Sequence, residues 1–170
     1  MSKFFKIAAI VFTIALMGVS CTPISEKIAI NGCDIEGLES VSLGAGQLNL
    51  GTELIVDASN SSALDVSLAD FEAEIFSRSG KRVGTVTYVP EKGQKNPTLP
   101  RRSEALVHIP LKVSFDNPLS ALSLASMTFG DYGDKGYTVS YNCKLKAGLV
   151  SKRFKADKVP IADLAKAFDR

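Results

Sequence analysis

Glu104–Asp116 reads EALVHIPLKVSFD, and Ala105, Val107, Ile109, Leu111, Val113 and Phe115 alternate along it without a miss. Side chains of a strand point to opposite faces in turn, so this period of two predicts a half-buried strand with one wet face. Working outward, Gln47–Asn60 places Leu48, Leu50, Leu54, Val56 and Ala58 on one side, and Gly136–Lys146 does the same with Tyr137, Val139, Tyr141, Cys143 and Leu145. Antiparallel sheets are where such one-sided strands occur. Weaker strands are expected at 33–43, 71–75, 81–89 and 149–156, with Ser79-Gly80 as a hairpin turn. The apolar phase slips between Leu68 and Phe71, which predicts a bulge. Asn60-Ser61-Ser62 and Glu91–Pro100 carry turn residues and read as loops. Asn117 caps a short helix that starts at Pro118 and runs past Leu122 towards Met127. A second one follows Pro160, with Ile161, Leu164, Ala165 and Phe168 on one face. The expectation is an all-β, antiparallel β-sandwich of the immunoglobulin or fibronectin kind, with about seven strands and one or two short helices.

The start of the chain has a different grammar. Lys3 and Lys6 precede an uncharged run over Ile7–Met17, then small Gly18 and Ser20, then Cys21. Basic, apolar, small is the order of a secretory signal peptide. The run is too short to span a bilayer, which takes about 20 residues. A cysteine directly after the small residues resembles the lipobox, at which a diacylglycerol is attached to the thiol and the chain is cut just before it. Here the four positions read Gly18, Val19, Ser20 and Cys21, without the usual leucine. An ordinary signal-peptidase site, leaving Cys21 as a thiol, fits the same small residues. The expected organisation is therefore 1–20 signal, 21–30 tether, 31–159 sandwich and 160–170 terminal helix. Cys21 is the expected lipid attachment site. The expected location is the cell envelope, facing the periplasm, with the membrane as a partner through the N-terminal lipid.

Removal of the signal also changes the charge. The chain has 20 Lys plus Arg and 18 Asp plus Glu, and loss of Lys3 and Lys6 leaves 18 of each. A neutral domain gives no support to nucleic-acid binding, which needs a basic surface. The charges are unevenly spread: 22–76 holds ten acids and one base, whereas 77–170 holds seventeen bases and eight acids. Interleaved strands would mix these charges in space. A basic face near Lys144, Lys146, Lys152, Arg153, Lys155 and Lys158, touching anionic lipid or a partner, is the sharper alternative.

Catalytic signals are sparse. His108 is the single histidine and lies on the wet face of its strand beside Pro110. A zinc site takes about four ligands, and local spacing offers no such set. There is no Gly-x-Ser-x-Gly elbow, P-loop or dinucleotide fingerprint. Glu72 and Glu74 share a wet face, as solvation alone would arrange. No enzyme activity, metal or cofactor is expected. With Cys21 assigned to lipid, Cys33 and Cys143 remain; an exported protein permits a disulfide between them, and two buried thiols fit equally well.

Val56–Asn60, then Arg82-Val83-Gly84, Leu99-Pro100, Ser103 and Val107–Leu111 follow one another in an order that resembles the second subgroup of late embryogenesis abundant proteins, which includes the water-stress and hypersensitive-response domain. The strand Tyr137–Leu145, with Gly148 and Phe154 after it, is similar to that family's ending, and the likeness covers roughly 34–161. The family's Asn-Pro after the first long strand is Asn60-Ser61 here. The resemblance implies a two-sheet sandwich with a short helix and a part in desiccation or other stress protection, without a shared enzyme activity. A non-enzymatic envelope domain that protects or binds is one expectation. An accessory lipoprotein that binds an envelope protein by strand addition, or through the loop at 91–102, is the other.

Overall fold

The computed structural model describes residues 27–119, 121 and 134–163. Within them lie eight strands: β1 (Ile28–Gly44), β2 (Gln47–Asn60), β3 (Val66–Phe76), β4 (Arg82–Tyr88), β5 (Thr98–Leu99), β6 (Ser103–Phe115), β7 (Thr138–Ala147) and β8 (Val150–Pro160). All pair antiparallel in one sheet of order β1-β2-β6-β4-β3-β7-β8, with β5 added alongside β3. The all-β, antiparallel expectation holds.

The alternating residues explain the core. Leu54, Val56 and Ala58 of β2 are buried, as are Ile109, Leu111, Val113 and Phe115 of β6, and Val139 and Cys143 of β7. Phe71, Ala73 and Ile75 add the inner face of β3, and Val86 that of β4. Burying side chains of this size stabilises by about 1.5–3 kcal/mol each, before entropy is counted. The phase slip before Phe71 is a register shift between Leu68 and Asp70 against β7.

β4 joins the two wings of the sheet only part of the way along. It pairs Gly84–Tyr88 with Leu111–Phe115 of β6, and Glu72–Phe76 of β3 with its other edge. Beyond Tyr88 the first half of β6 pairs with β2 alone among the described residues. β5 takes the place of β4 beside the start of β3, while β7 runs along the other edge of β3 throughout. The sheet curls there. Ile30, Val56, Val107 and Ile109 from one wing and Leu68 and Leu145 from the other line a common apolar cavity of about 50 Å³.

Several boundaries differ from the sequence expectation. Ile28, Ala29 and Ile30, expected in the tether, already pair with Asn60, Ser59 and Ala58. The connection at 91–102 contains β5, held by Val66 and Ser67, because Leu99 has a core position to fill. Asn117 caps as expected: the Leu119 N–H donates to its Oδ1 at 2.9 Å, and the Ala121 N–H to its backbone oxygen at 3.1 Å. Ile161 is buried in the first turn after Pro160. The signal segment, Cys21, Leu122, Met127, Leu164, Ala165 and Phe168 lie outside the described residues.

Of the two readings open for Cys33 and Cys143, a disulfide or two thiols, the structure has Cys143 as a thiol. Cys143 is a free, fully buried thiol on β7, opposite Phe71 and Phe154, whereas Cys33 is on β1 opposite Val56, at the other end of the strand order. Burial pushes the Cys143 thiol up to about 12, the nearby Asp70 carboxylate adds to the rise, and Arg153 opposes it.

Candidate functional site

β2 is flanked by β1 and β6, so its outward residues sit in the middle of a three-stranded polar face. Glu53 is directly opposite Glu36 of β1, and Ile55 is opposite His108 of β6. His108 therefore lies diagonally from Glu53, within reach of a long side chain. Its Nδ1 is 3.1 Å from Glu53 Oε2. One donor atom from each of Glu36, Glu53 and His108 falls within 4.8 Å of the other two. Two carboxylates facing each other across a pair of strands repel, and the imidazole beside them supplies a hydrogen-bonding partner.

In chemical terms this is one nitrogen and two carboxylate oxygens on a solvent-facing sheet. That set suits a borderline divalent ion such as zinc, with water completing the shell. Sequence spacing concealed it, because Glu36 and Glu53 come from neighbouring strands and His108 from a third strand 55 residues beyond Glu53, and they meet only through register. The alternation did place His108 and Glu53 on wet faces, and both are partly exposed. Glu36 belongs to a strand whose apolar pattern is interrupted by register shifts at Ile30/Gly32, Glu36/Leu38 and Leu38/Ser40.

A second polar cluster is structural. Arg82 at the start of β4 donates from Nε to Asp116 Oδ2 at 2.9 Å and from Nη1 to Glu74 Oε1 at 3.2 Å. These contacts, Asp116 first, hold the guanidinium still more firmly protonated than usual. They tie the β3–β4 turn to the end of β6.

The third feature is the end of the sheet where the described chain begins. The Ser61 N–H donates to Lys27 O at 2.9 Å, and the Arg102 N–H to Ser62 O at 3.2 Å. The Arg101 N–H donates to Asp65 Oδ1 at 2.8 Å. Leu64 sits over Gly148 of the β7–β8 turn, 3.6 Å from where a Cβ would stand. Lys27 just before β1, the β2–β3 and β5–β6 connections and the β7–β8 turn thus converge at one end. Asn60, 1 % exposed, anchors them: its Nδ2 donates to Leu64 O at 2.9 Å and to Leu99 O at 3.3 Å, while its Oδ1 accepts from the Ser62 N–H at 2.9 Å.

The charge imbalance of the sequence survives folding at the two edges of the sheet. The acids Asp34, Glu36, Glu53 and Asp57 lie on β1 and β2, and Lys152, Arg153, Lys155 and Lys158 lie on β8, at opposite ends of the strand order. The expected interleaving does occur, since β6 and β4 lie between β2 and β3 and Arg82 meets Glu74, but the first and last strands form the two edges and keep these groups apart. Arg153 reaches Asp70 of β3 at 3.6 Å, an exposed pair.

No helix among the described residues is long and apolar enough to cross a membrane. No protein-family model matches the chain, and a search of curated proteins returns no match. Solved structures do show similarity. A protein from Archaeoglobus fulgidus matches with a TM-score of 0.42 at 9 % identity, covering 75 % of this chain and 91 % of that one. A structural-genomics target, SoR45, matches with a TM-score of 0.39 at 12 % identity, covering 79 % and 84 %.

Proposed function

We propose that this chain is an exported lipoprotein whose Cys21 carries the lipid, and that it holds a non-enzymatic β-sandwich of the late-embryogenesis-abundant kind close to a membrane of the cell envelope, on the periplasmic side. Its role in this reading is stress protection or the binding of an envelope component. The single observation that carries the reading is the segment Lys3–Cys21, in which a basic head, an apolar run and small residues end on a cysteine. The start of β1 at Ile28 agrees with it, since five residues, Thr22–Glu26, separate Cys21 from Lys27 and the domain follows its anchor directly. The sandwich is supported by the shared cavity, to which the inner faces of β1, β2 and β6 and of β3, β5 and β7 all contribute.

Labelling with radioactive palmitate, followed by mass measurement of the mature chain, tests the anchor. Label should enter the native protein and be absent from Cys21→Ala; equal labelling of both refutes the assignment. For the protective role, the mature chain should preserve a labile enzyme through drying better than an equal mass of inert protein.

A second reading has its own observation. The strand path ends on β1 and β8, and neither has a further strand partner among the described residues. Unpaired backbone along these edges suits strand addition by an envelope protein.

A further inference from the structure

We propose that the Lys27 end of the domain is a docking surface for an anionic bilayer: an apolar tip of Leu64, Leu149 and Val150, ringed by Lys27, Arg101, Arg102, Lys146 and Lys152. The inference deepens the lipoprotein reading and rests on it for the position of the membrane.

The tip is the first argument. Ala147 pairs with Val150, so Gly148 and Leu149 form a two-residue hairpin turn. Such turns favour Gly, Asn and Asp, because their backbone needs positive φ. Gly148 meets the need at φ 59°, but turn geometry gives no reason for leucine beside it. Leu149 is 102 % exposed and packs on nothing within the fold, Val150 is 64 % exposed, and Leu64 covers the turn from the β2–β3 connection. Three large apolar side chains from two connections project together at one end, at a cost in water that insertion among acyl chains would remove.

Charge is the second. All five bases are exposed, and the acids in the same connections and flanking strand ends are Asp65 and Glu104. Asp65 is already engaged by the Arg101 N–H. An apolar tip inside a basic ring is the pattern expected of an interfacial contact with acidic headgroups. The opposite end differs. Val41 and Leu43 are exposed near the β1–β2 turn, but 38–52 contains no Lys or Arg. The bases of that end belong to other connections: Arg78 and Lys81 to the β3–β4 turn and Lys135 to the approach to β7, with Arg82 held by Asp116 and Glu74.

Reach is the third. Six steps of chain from Cys21 to Lys27 span at most about 20 Å, whereas the 14 residues of β2 run about 45 Å. The anchor therefore holds the Lys27 end at the bilayer surface and leaves the far end beyond the tether.

The chain contains no tryptophan, so one introduced indole reports one position. Leu149→Trp and Leu43→Trp, each in the full-length lipidated protein, are reconstituted in vesicles of phosphatidylcholine and phosphatidylglycerol with brominated acyl chains. The expected result is blue-shifted emission at position 149, quenched several-fold more than at 43. Replacing Arg101 and Arg102 by Gln, or omitting phosphatidylglycerol, should weaken it. Equal quenching at both positions, or a reporter at 149 that stays as solvated as in buffer, overturns the proposal. Blue-shifted emission before lipid is added would indicate contact with protein and overturn it too. The mass at Cys21 separates this failure from that of the lipoprotein reading. If Cys21 carries no acyl group, the same variants mixed with phosphatidylglycerol vesicles still decide docking by whether emission at 149 shifts. Urea unfolding of both variants verifies that each is folded.

Discussion

Replacing Asn60 by Ala should be among the most damaging polar substitutions in the domain. Asn60 ends β2, is 1 % exposed and makes three hydrogen bonds, to Leu64 O, Leu99 O and the Ser62 N–H. Each contributes about 1 kcal/mol net, and a buried group left without a partner costs about 1–3 kcal/mol. Some of the freed groups lie near the surface and regain water, so the loss should be about 3–4 kcal/mol, a large part of the 5–15 kcal/mol typical of a domain. With a urea m-value of about 2 kcal/mol/M, the unfolding midpoint should fall by about 1.5–2 M, read by circular dichroism. Heating should show a fall of about 10 °C. Asn60→Asp is the sharper variant. It keeps an acceptor for the Ser62 N–H but turns a carboxylate towards two carbonyl oxygens. Burial and those oxygens raise the introduced carboxyl above its unfolded value, so the unfolded chain loses its proton first. Stability should then fall as pH rises through about 4 and level off above the folded value. A loss below about 1 kcal/mol for Asn60→Ala, or a pH-independent penalty for Asn60→Asp, would refute the account of Asn60 as the clasp of this end.

Two further outcomes follow from the site chemistry. Cys143 should resist thiol reagents in the folded protein near pH 8 and react on unfolding. Its folded value near 12 lies above that of an unfolded thiol, so its contribution is complete below about 8.5 and is lost as pH climbs towards 12; alkaline unfolding should be measurably later for Cys143→Ala once each curve is referred to its own neutral stability. Zinc bound by Glu36, Glu53 and His108 should raise the melting temperature, since a hundredfold excess over Kd stabilises by about 2.7 kcal/mol. His108→Gln should abolish that rise, and an equal rise in native and variant chains would place the ion elsewhere.

The strands most legible in the sequence are those whose inner face is buried or partly buried along the whole alternation. β6 and β7 show this, and even the bulge before Phe71 was visible as a slip of phase. β1 was readable only in part, because its register shifts break the alternation that sequence reading depends on. β5 is two residues long and exists because β3 and the core receive Leu99, a tertiary cause with no local signature. Asn60 was legible as a turn residue, but its burial among three connections was not. The Glu36–Glu53–His108 cluster was hidden for the same reason: a bond spanning 55 residues depends on which residues of β2 and β6 come opposite each other. Charge was legible in part. Interleaved strands do mix the two halves, since β6 and β4 lie between β2 and β3 and Arg82 meets Glu74, yet the strand order keeps the first and last strands at separate edges.

That separation bears on which bases can sense a bilayer. Screening reduces exposed electrostatics over about 10 Å at 0.1 M salt, and a strand rises about 3.3 Å per residue. Counted from Leu149, Lys152 and Arg153 lie within about 10–13 Å of the tip, Lys155 about 20 Å away and Lys158 about 30 Å, so the basic strip of β8 divides. Its first part belongs with Lys27, Arg101, Arg102 and Lys146 in attraction to acidic headgroups, each worth about 1 kcal/mol near the surface. Its distal part is too far to contribute to docking through the tip. Arg153 is also partly engaged by Asp70, and Lys152 lies 5.5 Å from the Phe154 ring centroid, so neither is a fully free charge. Neutralising Lys155 and Lys158 should therefore leave vesicle binding unchanged, whereas neutralising Arg101 and Arg102 should weaken it and flatten its dependence on salt. If instead the two pairs weaken binding equally, the β8 face and not the hairpin tip meets the membrane, and the domain lies along the bilayer rather than standing on its end.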